Sequence, residues 1–141
     1  MSENEDIRWV QRFNSFSRAF GLLREFVEGN EDILALEPIV KEGIIQRFEY
    51  TFELAWKTLK DKMEHDGIAI KQISPRHMFK LAHQSKYIKK IEIWLKMTND
   101  RNLMIHTSDL ATFDKVLESL KNDYYPLLND FYISLIEERV Q

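Results

Sequence analysis

The sequence predicts an all-α protein, an up-and-down bundle of four long helices and one short one. Three observations predict it. Apolar residues recur every three or four positions along most of the chain. Glycine and proline number only 4 and 3 in 141 residues, which suits long elements with few tight turns. No stretch alternates apolar and polar residues as a half-buried strand would.

The first helix is written in Trp9, Phe13, Phe16, Phe20, Leu23 and Val27, spaced 4, 3, 4, 3 and 4, and it ends at Gly29-Asn30. A second begins at Pro38, because proline in a first turn lacks only an N–H that had no helical partner. Its stripe is Ile45, Phe48, Phe52, Ala55, Leu59 and Met63, with Gly67 as the stop signal. Ser74-Pro75 reads as a cap and a first-turn proline, opening a short helix to about Gln84. A fourth helix is expected from roughly Ile88 to Ile105. The last stripe, Phe113, Val116, Leu120, Tyr124, Leu127, Phe131 and Leu135, keeps its register across Pro126. Proline removes one helical hydrogen bond and crowds the preceding turn, so a kink or break is expected near Asn122 to Tyr125.

At this length a single domain over residues 1–141 is expected, with 1–6 and 138–141 fraying. The absence of cysteine excludes disulfides and thiolate metal sites and fits a reducing compartment. The acidic start "MSENEDIR" is unlike a signal peptide, and no run of about 18 apolar residues occurs. A cytoplasmic protein without a membrane span is the expectation. The amount of aromatic surface, 12% of residues, makes burial in a homodimer a reasonable expectation.

The formal net charge of −3 is unevenly spread. Between Gly67 and Ile91 there is no acidic residue, while Lys71, Arg76, Lys80, Lys86, Lys89 and Lys90 contribute +6 and leave −9 for the remainder. Such a segment attracts phosphates or an acidic protein surface, unless it is only a solvated face. Arg76, Lys80, Lys86, Lys89 and Lys90 are therefore candidates for phosphate, nucleic-acid or partner binding.

His65, His77, His83 and His106 have none of the spacings that bring two imidazoles to one ion on a helix, and "HExxH" is absent, so no metal site is expected. The glycine-rich nucleotide loops and the "GxSxG" elbow are absent too, and no cofactor is expected. What remains is "TNDRNLMIHTSD", residues 98–109, with Arg101, Asn102 and His106. At about 100° per residue, Asn102 falls near the face of Ile91 and Leu95, His106 stacks on Asn102, and Arg101 points about 140° from His106. Arg101 and His106 could converge only through the arginine's long reach, a distorted last turn or a second copy of the chain across a dimer axis. A histidine can exchange protons near neutrality, and a guanidinium makes forked bonds to phosphate oxygens. An asparagine amide can orient either. This is equipment for metal-free cleavage of RNA, the 2′-hydroxyl acting as nucleophile. Cationic residues at a helix C-terminus also answer its dipole, which is the structural alternative.

Three blocks, "RFEYTFELAWKTLKDKME" (47–64), "SPRHMFKLA" (74–82) and "IWLKMTNDRNLMIHTSD" (93–109), resemble in that order the prokaryotic nucleotidyltransferase substrate-binding protein family, a branch of the HEPN domains. The resemblance implies a HEPN-like, dimeric bundle of four or five helices that assembles with a small nucleotidyltransferase encoded nearby. It also implies that Arg101, Asn102 and His106 match a motif marking a metal-independent endoribonuclease site at the dimer interface. Such pairs often act as toxin and antitoxin. The alternative function is a non-catalytic nucleotide- or substrate-binding subunit. Where the family usually has a tyrosine that its partner adenylylates, this sequence has Ser108, so Thr107 and Ser108 are the candidate modification sites.

Overall fold

The computed structural model describes residues 3–107 and 109–139. Among them six α-helices follow one another: α1 (Glu3–Gly29), α2 (Pro38–His65), α3 (Pro75–Gln84), α4 (Ile91–Ile105), α5 (Leu110–Ser119) and α6 (Tyr125–Arg139). A 3₁₀ turn at Ile33–Ala35 lies between α1 and α2, and a π-helical turn at Leu120–Tyr124 joins α5 to α6. Counting α5, the π turn and α6 as one rod, the architecture is four long helices and one short one. Among the described residues no helix is long and apolar enough to cross a membrane.

The stripes expected on the long helices are the buried ones. Trp9, Phe13, Phe16, Phe20, Leu23 and Val27 of α1 enter the core, as do Ile45, Phe48, Phe52, Ala55, Leu59 and Met63 of α2. α1 and α2 form the most extensive helix pair, and α2 also touches α3, α4 and α5. This position buries α2 almost all round between Thr51 and Met63. Its polar members are satisfied locally: Thr51 donates to the Arg47 carbonyl at 2.7 Å and Thr58 to that of Leu54 at 2.7 Å. Asp61, nearly sealed from solvent, is paired with Arg12 of α1 at 3.0 Å.

Helix ends explain themselves from sequence. Gly67 adopts φ +90° after α2, with Gly67 N–H bonded to Glu64 O at 3.0 Å and Ile68 N–H to Met63 O at 2.9 Å, the paired bonds of a Schellman turn. Ser74 caps α3, its hydroxyl accepting from His77 N–H at 3.2 Å, with Pro75 in the first turn as expected. α4, in contrast, starts at Ile91 and not near Ile88, because Lys90 takes a left-handed conformation and interrupts the chain there.

The proline disturbs the last helix where expected, although not as a break. The last helix does not break near Asn122 to Tyr125. It widens, with Tyr125 N–H donating to Leu120 O, five residues back, so one extra residue fits in the turn before the donor-less Pro126. Phe113, Val116, Leu120, Tyr124, Leu127, Phe131 and Leu135 consequently all remain buried.

Aromatic side chains bind the short helix to the rest. Phe79 of α3 is buried between Trp94 of α4, ring centroids 4.8 Å apart, and Phe52 of α2 at 5.8 Å. Trp94 meets Phe131 of α6 edge to face at 5.5 Å. Phe79→Ala should therefore cost about 3–5 kcal/mol of unfolding free energy, read as a lowered urea midpoint. A loss under about 0.5 kcal/mol would contradict this role of the cluster.

Candidate functional site

The face that α4 turns inward is Trp94, Met97, Thr98 and Met104, all buried. Ile91 and Leu95 are only half-buried flanks, which corrects the expected geometry. Arg101 is three residues after Thr98 and three before Met104, so it belongs to the edge of the packed face, while Asn102 and His106 are exposed. The error lay in taking the aliphatic pair as the centre of the stripe when the larger Trp94 holds it.

Arg101 is pinned against α2. Its Nη2 donates to Glu53 Oε2 at 2.8 Å and its Nη1 to Asn102 Oδ1 at 3.1 Å, and the guanidinium carbon lies 5.4 Å from the Phe52 ring centroid. Glu53 Oε2 also accepts from Trp56 Nε1 at 3.0 Å, and its Oε1 pairs with Lys57 at 3.2 Å. Burial pushes Glu53 upward, but the bonds from Trp56 and Lys57 and the charges of Lys57 and Arg101 outweigh it and hold the carboxyl below its ordinary value. Glu49, one turn earlier, goes the other way: burial raises it more than Arg101 lowers it. Sequence reasoning missed Glu53, Trp56 and Lys57 as site residues. Their signal was the run "EYTFELAWK", in which Glu49, Glu53 and Lys57 recur every fourth residue and so share one line of α2.

A guanidinium has five N–H donors, and these two bonds leave donors for a further acceptor without giving up Glu53. His106 is the C-cap of α4, its backbone N–H bonded to Leu103 O at 3.1 Å. Around these polar groups the surface is apolar: Leu103 is 48% exposed, Ile105 55%, Leu110 45%, and Tyr50 of α2 54%. Thr107 is half-buried, and its hydroxyl accepts from Asp109 N–H at 3.2 Å, within the turn where Asp109 caps α5. Ser108, the other candidate for modification, lies outside the described residues. Among the described residues no group of three or more His, Asp or Glu side chains is placed to hold a metal.

The basic candidates do not gather at this site. Arg76, at the start of α3, bonds Asn99 of α4, one turn from Asn102, and Lys80 is exposed on the next turn of α3. Lys86, Lys89 and Lys90 instead line a cavity of about 300 Å³ beside the N-terminus of α4. Sixteen residues separate Lys90 from His106, about 24 Å at the helical rise. The predicted set is thus divided between the two ends of α4.

A carboxyl held below its ordinary pKa stabilises the fold above that value and loses its contribution as pH falls through the depressed one. Glu53→Gln should therefore cost about 1 kcal/mol at pH 7 and much less at pH 3, compared by urea unfolding. An equal cost at both values would refute the charge-based account.

Solved structures place the architecture. A crystal structure of a Thermus thermophilus protein superposes with a TM-score of 0.71 at 29% identity, covering 84% of this chain and 96% of that one. No curated protein matches the chain. The family model described as "Nucleotidyltransferase substrate binding protein like" matches residues 11–137, from within α1 nearly to the end of α6, and this chain belongs to that family.

Proposed function

We propose that this chain is the substrate-binding subunit of a two-component nucleotidyltransferase, and that it works as a homodimer holding RNA phosphate at Arg101. The observation that carries the reading is the Arg101–Glu53 pair with exposed Asn102 and His106 beside it, set among exposed Leu103, Ile105 and Leu110. Apolar side chains at such exposure fit a surface that another chain covers. A two-fold axis through this surface would bring the second copy's His106 toward Arg101, so that the two chains together complete the site. The family description supplies the partner, a nucleotidyltransferase.

The exposure of His106 favours a further, catalytic reading, in which the subunit is a metal-independent endoribonuclease that its nucleotidyltransferase neutralises. In that reaction an imidazole takes the proton of the ribose 2′-hydroxyl, whose oxygen forms a bond to phosphorus. The bond from phosphorus to the 5′-oxygen breaks, and a second imidazole of the dimer protonates the departing oxygen. The products are a 2′,3′-cyclic phosphate and a 5′-hydroxyl. Arg101 neutralises the non-bridging oxygens and Asn102 orients the guanidinium.

Two measurements test these readings. Leu103→Asp with Ile105→Asp should convert a dimer to a monomer in sedimentation and weaken RNA binding. A monomeric parent chain would remove the interface. With EDTA present, the parent should cleave RNA and His106→Ala should lose about 10²-fold or more. Equal background cleavage by both would eliminate the ribonuclease and leave the binding subunit.

A further inference from the structure

The cavity at the other end of α4 is unaccounted for by the Arg101 surface. Its volume of about 300 Å³ is enclosed by the α3–α4 loop and α6, with Ile88, Trp94, Leu127 and Phe131 as an apolar floor and Lys86, Lys89 and Lys90 at the rim. It continues along α6 into a groove of about 500 Å³ that shares Lys86, Tyr87, Phe131 and Ser134. These volumes fall in the range of about 300–1,000 Å³ usual for small-molecule sites.

Among the described residues none of Lys86, Lys89 and Lys90 forms a salt bridge, whereas Asp66 and Glu138 of the neighbouring groove are both paired with Lys62. Asp66 also accepts from the Tyr87 hydroxyl at 2.6 Å, which fixes the loop against α2. The acid left in the cavity itself is Asp130, exposed on α6.

The backbone adds an independent observation. The α3–α4 loop repeats the turn that ends α2: Lys86 N–H bonds His83 O at 3.1 Å and Tyr87 N–H bonds Ala82 O at 2.8 Å. After α2 the left-handed position of this turn is Gly67, φ +90°, but after α3 it is Lys86, φ +68°. Lys90, φ +56°, is left-handed as well and serves as the N-cap of α4, with no side-chain cap for the helix's free N–H groups. Glycine suits the first position and Ser, Asp or Asn the second. Two lysines therefore occupy the two backbone positions of this loop where lysine is disfavoured, and both line the cavity.

We propose that this cavity binds a nucleoside phosphate. Its phosphates lie among Lys86, Lys89 and Lys90 and the uncapped first turn of α4, its planar base rests on the apolar floor, and Asp130 and Ser134 receive the sugar hydroxyls. The shared chemistry fits a free nucleotide or the terminal nucleotide of an RNA. The inference does not depend on the Arg101 surface, whose variants should leave it intact.

Calorimetry with AMP and ATP tests it on the full chain. The parent should bind, Lys86→Gly should weaken binding about tenfold while raising the melting temperature by relieving the left-handed turn, and Lys89→Ala with Lys90→Ala should weaken binding at unchanged melting temperature. Arg101→Ala should bind as the parent does. Competition by a 5′-phosphorylated oligonucleotide would assign the site to an RNA end, and failure to compete would assign it to the free nucleotide. Absence of nucleotide binding, indifference to the lysine variants, displacement by inorganic phosphate as readily as by AMP, or loss in Arg101→Ala would each overturn the proposal.

Discussion

The near-complete burial of the middle of α2 is the constraint around which the bundle is built. A helix enclosed almost all round has little solvent face on which to place polar groups, so its buried polar residues between Thr51 and Met63 have to be answered within the protein. Two threonines turn their hydroxyls back to the helix's own carbonyls, and Asp61 takes a cation from α1. The half-exposed edge of the same helix is where Glu53 and Lys57 emerge, and it is there that Arg101 docks. The position of the arginine is therefore a consequence of how α2 is enclosed.

Much of this was legible in the residues. The stripes of α1, α2 and the α5–α6 rod could be read because each is dominated by large apolar side chains at regular spacing, although α2 also buries Leu54, Trp56 and Thr58 off its stripe. α4 was misread for the opposite reason. Ile91, Ile93, Trp94, Leu95 and Met97 offer several overlapping apolar faces, and the choice among them is made by Phe79 and Phe131, residues of other helices that hold Trp94 inward. Arg101, Asn102 and His106 were found as a local cluster because they are local. Glu53, Trp56 and Lys57 were not, since 48 residues separate Glu53 from Arg101 and only the packing of α2 on α4 brings them together.

The two ends of α4 also answer charge differently. At the C-terminal end Arg101 is met by Glu53 of its own chain, so a phosphate arriving there competes with a carboxylate already in place. At the N-terminal end Asp130 is the carboxylate that lines the cavity with the lysines, and Glu92 lies in the first turn of a helix without a side-chain cap. An anion approaching the second end has less to displace, and long-range attraction should act more strongly there than at the first.

The π turn at Leu120–Tyr124 looks like a local accommodation of Pro126, yet it sets the phase of everything after it. One extra residue in a regular α-helix would rotate everything after it by about 100°, and the wider turn absorbs that rotation. Leu127, Phe131 and Leu135 therefore stay on the buried side, and Asp130 and Ser134 stay beside the α3–α4 loop. A relative shorter by one residue there, with a regular helical turn in place of the π turn, would present the same side of α6 to the cavity.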